Sequence, residues 1–80
     1  APSMEQLEQV ARAPGADRAA FLRLGWARYA AGRFSDAAAA AREGQTLAPG
    51  DPEASYLLGM ALKASGDKGG AAAAFSAAAT

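Results

Sequence analysis

The chain of 80 residues contains no cysteine, histidine, asparagine or isoleucine. Without cysteine there is no disulfide framework and no thiol redox site, so the compartment is left open. Without cysteine or histidine the usual structural zinc sets cannot be assembled. A serine–histidine or cysteine–histidine nucleophilic centre cannot be built within this chain either. Charge of one sign is also missing: eight lysines and arginines balance eight aspartates and glutamates, for a net charge of zero. That removes the electrostatic case for nucleic acid or an anionic membrane as partner, and it removes one barrier to self-association. Long hydrophobic runs are lacking too. The longest are alanine runs of about five residues, against the roughly 20 needed to span a bilayer. The chain opens Ala1-Pro2-Ser3, with neither a basic n-region nor an apolar h-region,. It reads as a processed or excised piece, and cytoplasm and bacterial periplasm both stay open.

What the chain has in quantity is alanine, with arginine over lysine at six to two. This bias fits GC-rich codon usage and suggests a bacterial source. Eighty residues allow one small domain, which buries only about 60–65% of its unfolded surface and is correspondingly modest in stability.

Start and stop signals predict five helices and no strand. The first covers about Met4 to Ala13, with Ser3 and Gln6 in a capping-box pattern, Leu7, Val10 and Ala11 as its apolar stripe, and Pro14-Gly15 ending it,. The second covers about Arg18 to Ala31, capped by Asp17 and stopped by Gly32,. The third covers about Asp36 to Leu47, with Ser35 as its cap and Pro49-Gly50 as its breaker. Asp51 caps the fourth, with Pro52 at its first position, and Gly66 stops it after Ser65,. Asp67 caps the last, about Lys68 to Ala79, where Gly69 and Gly70 each weaken the first turn by roughly 1 kcal/mol relative to alanine. Short loops between helices give antiparallel neighbours. The alanine runs 37–41 and 71–74 let helices approach closely.

The strongest pattern is a repeat with a period of 34 residues: Leu24 recurs as Leu58, Gly25 as Gly59, Ala27 as Ala61, Gly32 as Gly66 and Ala37 as Ala71. A period of this length marks stacked helix–turn–helix units. The stretch Phe21-x-x-Leu24-Gly25-x-Ala27-x-Tyr29, then Gly32-x-Phe34-x-x-Ala37, then Leu47-x-Pro49 resembles one full tetratricopeptide repeat. Leu58-Gly59-x-Ala61, Gly66, Ala71, Phe75 and Ala78 resemble a second, weaker one. The likeness covers about residues 18–80, and the first helix resembles the second helix of a preceding repeat. It implies an all-α, right-handed solenoid of stacked antiparallel hairpins: an N-terminal helix at 1–16, a first repeat at 17–50 and an incomplete second repeat at 51–80. Gly25 and Gly59 are expected where the helices of a hairpin cross, opposite Ala37 and Ala71, with Phe21, Leu24, Leu58 and Phe75 filling the hairpin cores. Three positions depart from the pattern: Arg28, where tyrosine is common; Ala41, where a large aromatic is usual; and Lys68, where the first copy has Phe34.

In the family the first helix of each repeat lines a concave groove for an extended or helical peptide. Mapped residue by residue, that groove would take Ala19, Leu22, Trp26, Tyr29 and Ala30 from the first repeat, and Tyr56, Met60 and Lys63 from the second. The spacing puts them on one helix face, distinct from that of Phe21, Leu24, Gly25 and Arg28. Tryptophan and tyrosine dominate interface hot spots, and methionine is a pliable contact. The alternative is that the first helix folds over Leu22 and Trp26 and makes them core. A clamp for a terminal carboxylate needs lysine, asparagine and arginine on this face; the corresponding residues here are Leu22, Trp26, Tyr56 and Met60, so an apolar or amphipathic segment is the better ligand. Most arginines read as a solvated face. The resemblance implies that Arg28 is semi-buried and pairs with an acid such as Glu43, whereas Glu5 and Glu8 read as ordinary surface acids. Asp51 and Glu53 sit in a first helical turn, where carboxylates favour the helix dipole.

These observations imply a non-enzymatic module for a protein or peptide partner, with no cofactor, metal, nucleic acid or membrane. The competing reading is a scaffold unit that assembles with itself, or with neighbouring repeats, through uncapped ends such as the alanine-rich helix 71–79.

Overall fold

The computed structural model describes residues 3–79; Ala1, Pro2 and Thr80, at the outer edges of the ranges 1–16 and 51–80, lie outside the described residues. The described residues form helices α1 (Met4–Arg12), α2 (Arg18–Ala30), α3 (Phe34–Leu47), α4 (Pro52–Ser65) and α5 (Lys68–Ala79), and no strand. The hairpins α2–α3 and α4–α5 stack side by side through α3 and α4, and α1 packs on α2. The fold is an all-α solenoid of helical hairpins.

The helices begin where side chains satisfy their free amides. Ser3 Oγ accepts from the Gln6 amide at 3.1 Å, while Gln6 Oε1 accepts from the Ser3 amide at 2.9 Å, completing the capping box of α1,. Asp17 accepts from the Ala20 amide at 3.0 Å, Asp51 from the Glu53 amide at 3.2 Å, and Asp67 from the Gly70 amide at 2.9 Å. Gly32 and Gly66, one repeat apart, end α2 and α4 with φ of +80° and +97°, a region open to glycine without strain,.

The start of α3 corrects the expectation of a Ser35 cap. The helix begins at Phe34, its N-cap is Arg33, and no side chain caps it. The left-handed turn at Gly32 leads straight into the helix, so the Arg33 carbonyl already accepts from the Ala37 amide at 2.9 Å. Phe34 then packs its ring against Tyr29, 5.4 Å between centroids.

Most of the core is alanine. Ala37, Ala41, Ala54, Leu57 and Ala61 are fully buried, with Leu22, Ala38, Leu58 and Ala74 around them. Small side chains let the helices close on one another, and Gly25 marks the tightest approach. A Cβ there would lie 2.5 Å from Leu57 Cδ2, 3.4 Å from Ala40 Cβ and 3.5 Å from the Ala37 carbonyl. Gly25 therefore faces its own hairpin partner and, more closely still, the next repeat. Gly59 lies under the Phe75 ring, 2.6 Å from where its Cβ would be.

The first helix does not cover Leu22 and Trp26. Its Ala11, Leu7 and Met4 pack instead with Leu24, Phe21 and Ala40, because α1 sits on α2 as α3 sits on α4. Arg28 also differs from expectation. Its guanidinium donates to Glu8 at 3.2 Å and to the Asp36 carbonyl at 3.1 Å, so its partner is Glu8 on α1, not Glu43 on α3. Glu8 is accordingly half-buried, not a free surface acid.

Candidate functional site

Five of the six aromatic side chains form one continuous row across both hairpins. Phe34 meets Tyr29 at 5.4 Å, Tyr29 meets Trp26 edge-on at 5.9 Å, Trp26 meets Tyr56 at 6.1 Å, and Tyr56 meets Phe75 at 5.8 Å. These separations and tilts are the ones aromatic rings favour. The row crosses the seam between α2 and α4. Trp26 and Tyr29 rest on the main core and are half-buried, whereas Tyr56 is 48% exposed.

A charged cluster fixes one flank. Trp26 Nε1 donates to Glu53 Oε2 at 3.3 Å. Arg18 pairs with Asp51 at 2.7 Å and approaches Glu53 at 3.7 Å. The first residues of α2 and α4 are thereby linked, and the indole edge is held toward α4. The carboxylate of Asp51 also caps α4, so one residue serves both the helix start and the seam.

The sequence-predicted residues divide into three groups. Trp26, Tyr29 and Tyr56 lie on the row, and Met60, four residues after Tyr56 on the same helix face, is half-buried,. Leu22 is 3% exposed and belongs to the core, because Ala54 of α4 and Gly44 of α3 close over it; what remains of it floors a depression of about 160 Å³ bounded by Ala19, Trp26 and Glu53. Lys63 and Ala30 are exposed at the far ends of α4 and α2, and Lys63 borders α5 as much as the row. The sequence pattern assigned Phe75 to a hairpin core, named Phe34 only as part of the repeat, and left Glu53 to the helix dipole. The signal that would have joined Phe75 to the row is Ala41, its counterpart one repeat earlier: a ring at that position projects past the small Gly59 toward Tyr56.

This surface offers apolar ring faces and one flank of paired charges. Among the described residues there is no group of three or more acidic side chains placed to hold a metal ion, and no helix is long and apolar enough to cross a membrane.

A family model described as tetratricopeptide repeat matches the chain at residues 4–52 and again at 22–80. The two matches overlap on α2 and α3, and together they include α1. No curated protein and no solved structure matches the chain significantly.

Proposed function

The chain belongs to the tetratricopeptide repeat family, whose domains generally mediate protein–protein interaction, and we propose that this one binds an apolar or amphipathic peptide or partner helix along the row Tyr29–Trp26–Tyr56. The observation that carries the reading is the row itself, with Trp26 held in place by Glu53 and Tyr56 standing 48% exposed beside it. Rigid aromatic side chains supply large contact area at low entropic cost, and a seam between two helices offers a groove to a third. Met60 extends the apolar surface, and Lys63 gives it a cationic end.

The experiment is selection of binders from a displayed peptide library, followed by affinity measurement on variants. Tyr56→Ala removes an exposed ring and leaves the core untouched, so a folded protein is expected, with affinity for the selected peptide lowered roughly tenfold or more. Trp26→Ala is expected to lower it further, with helical content by circular dichroism unchanged. A selected peptide that binds both folded variants as tightly as the parent chain refutes the proposal.

A further inference from the structure

A second groove, of about 290 Å³, lies where the end of α4 meets the start of α5. Ala71, Ala72 and Phe75 floor it, and Lys63 and Lys68 form its rim. The internal repeat shows what such a groove accommodates. One period earlier the floor is Ala37, Ala38 and Ala41, each buried to 3% or less, and the element that covers it is α4, through a cluster that includes Leu58 with Leu62 packed against it. In the second repeat Ala72 is exposed and Phe75 half-buried. The rim has changed as well. Tyr29 and Phe34, in ring contact at 5.4 Å, are replaced by Lys63 and Lys68. Neither lysine has an ion-pair partner among the described residues. The neighbouring Asp67 directs its carboxylate to the Gly70 amide at 2.9 Å.

We propose that this groove docks an acidic amphipathic helix of a partner protein, with two leucines four residues apart on the Ala71–Ala72–Phe75 floor and carboxylates against Lys63 and Lys68. The helical form follows from α4, which packs against α3 over Ala37, Ala38 and Ala41, and the leucine spacing is taken from Leu58 and Leu62 of that helix. The acidic character follows from the two lysines that replace the aromatic rim. A second copy of the chain fits worse. Stacked in register it would bring α2, which carries Arg28 where α4 has Leu62 and Arg23 where α4 has Leu57. Its Leu24 is already covered by α1, and its arginines would face the lysine rim. This surface shares Phe75 with the end of the aromatic row but does not depend on the row Tyr29–Trp26–Tyr56 binding anything.

The test is fluorescence anisotropy of the intact chain with a labelled, stapled helical peptide of about four turns, bearing two leucines four apart flanked by glutamates. A matched peptide carries lysines in place of the glutamates. The acidic peptide is expected to bind at least about tenfold more tightly at low ionic strength, with the preference shrinking as salt is added. The double variant Lys63→Glu, Lys68→Glu is expected to reverse the preference. Ala72→Glu, at an exposed position, is expected to weaken the acidic peptide at least about tenfold with helical content retained, and Trp26→Ala, whose ring contacts are with Tyr29 and Tyr56 and not with Phe75, to leave it unchanged,. Equal binding of the two peptides, or a preference that survives the double charge reversal, overturns the proposal. So does loss of binding in Trp26→Ala, which would place the peptide on the aromatic row. A chain that dimerises by itself, and is made monomeric by Ala72→Glu, would assign the groove to a second copy and overturn it equally.

Discussion

Leu22 and Tyr56 hold the same place in consecutive repeats, yet one is 3% and the other 48% exposed. Ala38 and Ala72 differ in the same sense, buried against exposed. Arg23 and Leu57 differ in the opposite sense, exposed against fully buried. The backbone environment within each hairpin is alike, so the helix itself does not set these differences. What sets them is whether another hairpin follows or precedes. Leu22 is closed over by Ala54 and Gly44, and Leu57 presses on Gly25 of the preceding hairpin. In a stacked array each repeat buries one face on each neighbour, and burial is a property of the interface more than of the repeat. Several of these positions also differ in kind between the repeats: Arg23 against Leu57, Tyr56 against Leu22, and Lys63 and Lys68 against the half-buried rings of Tyr29 and Phe34.

The most severe way to break this comparison is to cut both members of one pair to alanine. Leu57→Ala removes the largest fully buried side chain from a site walled by helices on two sides, and a loss of about 3 kcal/mol is expected. The whole chain holds only about 4–12 kcal/mol, so this single change brings it close to unfolding. Arg23→Ala, at the same position one repeat earlier, is expected to stay within about 0.5 kcal/mol. Urea denaturation monitored by circular dichroism measures both. Similar losses at the two positions would mean that stacking does not govern burial here.

A smaller effect is expected at the glycine pair. Gly25→Ala drives a methyl group against Leu57 Cδ2, 2.5 Å away, and Leu57 is enclosed with nowhere to swing. Overpacking of this kind costs about 1–3 kcal/mol, against about 1 kcal/mol gained from helix propensity. A net loss of up to about 2 kcal/mol follows. Gly59→Ala meets the Phe75 ring at 2.6 Å, but that ring is half-buried and can turn toward solvent. Its net change is expected near zero, with the cost appearing instead as altered contact between Phe75 and Tyr56. Denaturation midpoints separate the two glycines, and an equal loss at both would show Phe75 to be as tightly enclosed as Leu57.

Much of this fold was legible because the helix signals are local. Ser3 with Gln6, Asp17, Asp51 and Asp67 each cap the helix they were expected to cap, and Gly32 and Gly66 turn the chain as their position predicts. The exception is instructive: Ser35 looked like a cap, but the ring contact of Phe34 with Tyr29 and the turn at Gly32 carry the helix past it. Contacts between hairpins were less legible, because they depend on what covers a face and not on the residue itself. Leu22 shares a helix face with Trp26, and periodicity alone could not separate the covered residue from the half-open one. Arg28 was recognised as semi-buried, but its acid came from α1 because that helix packs across α2, bringing Glu8 within 3.2 Å. The aromatic row was legible in its middle and not at its ends. Phe34 and Phe75 belong to the second helices of their hairpins, and the pattern names a core role for Phe75 and no contact for Phe34.

The smallest effect sharpens the comparison most, since it acts on one repeat alone. A Cβ at Gly69 would meet nothing within 4 Å, whereas one at Gly70 would lie 2.5 Å from Asp67 Oδ2, the carboxylate that caps α5. Gly69→Ala is therefore expected to stabilise the chain by about 0.5 kcal/mol, less than a helix-interior position because it sits in the first turn. Gly70→Ala makes the same propensity gain but displaces the cap, which costs about 1 kcal/mol, so its net change is nil or slightly unfavourable. Native-state hydrogen exchange tells where the Gly69→Ala gain is felt. In a quasi-one-dimensional array the added stability is local, and protection should rise in the amides of α5 and α4 while those of α2 stay as they were. Protection that rises by the same amount in α2 would mean the whole chain opens as one unit, and the contrast between the repeats would then be confined to their surfaces.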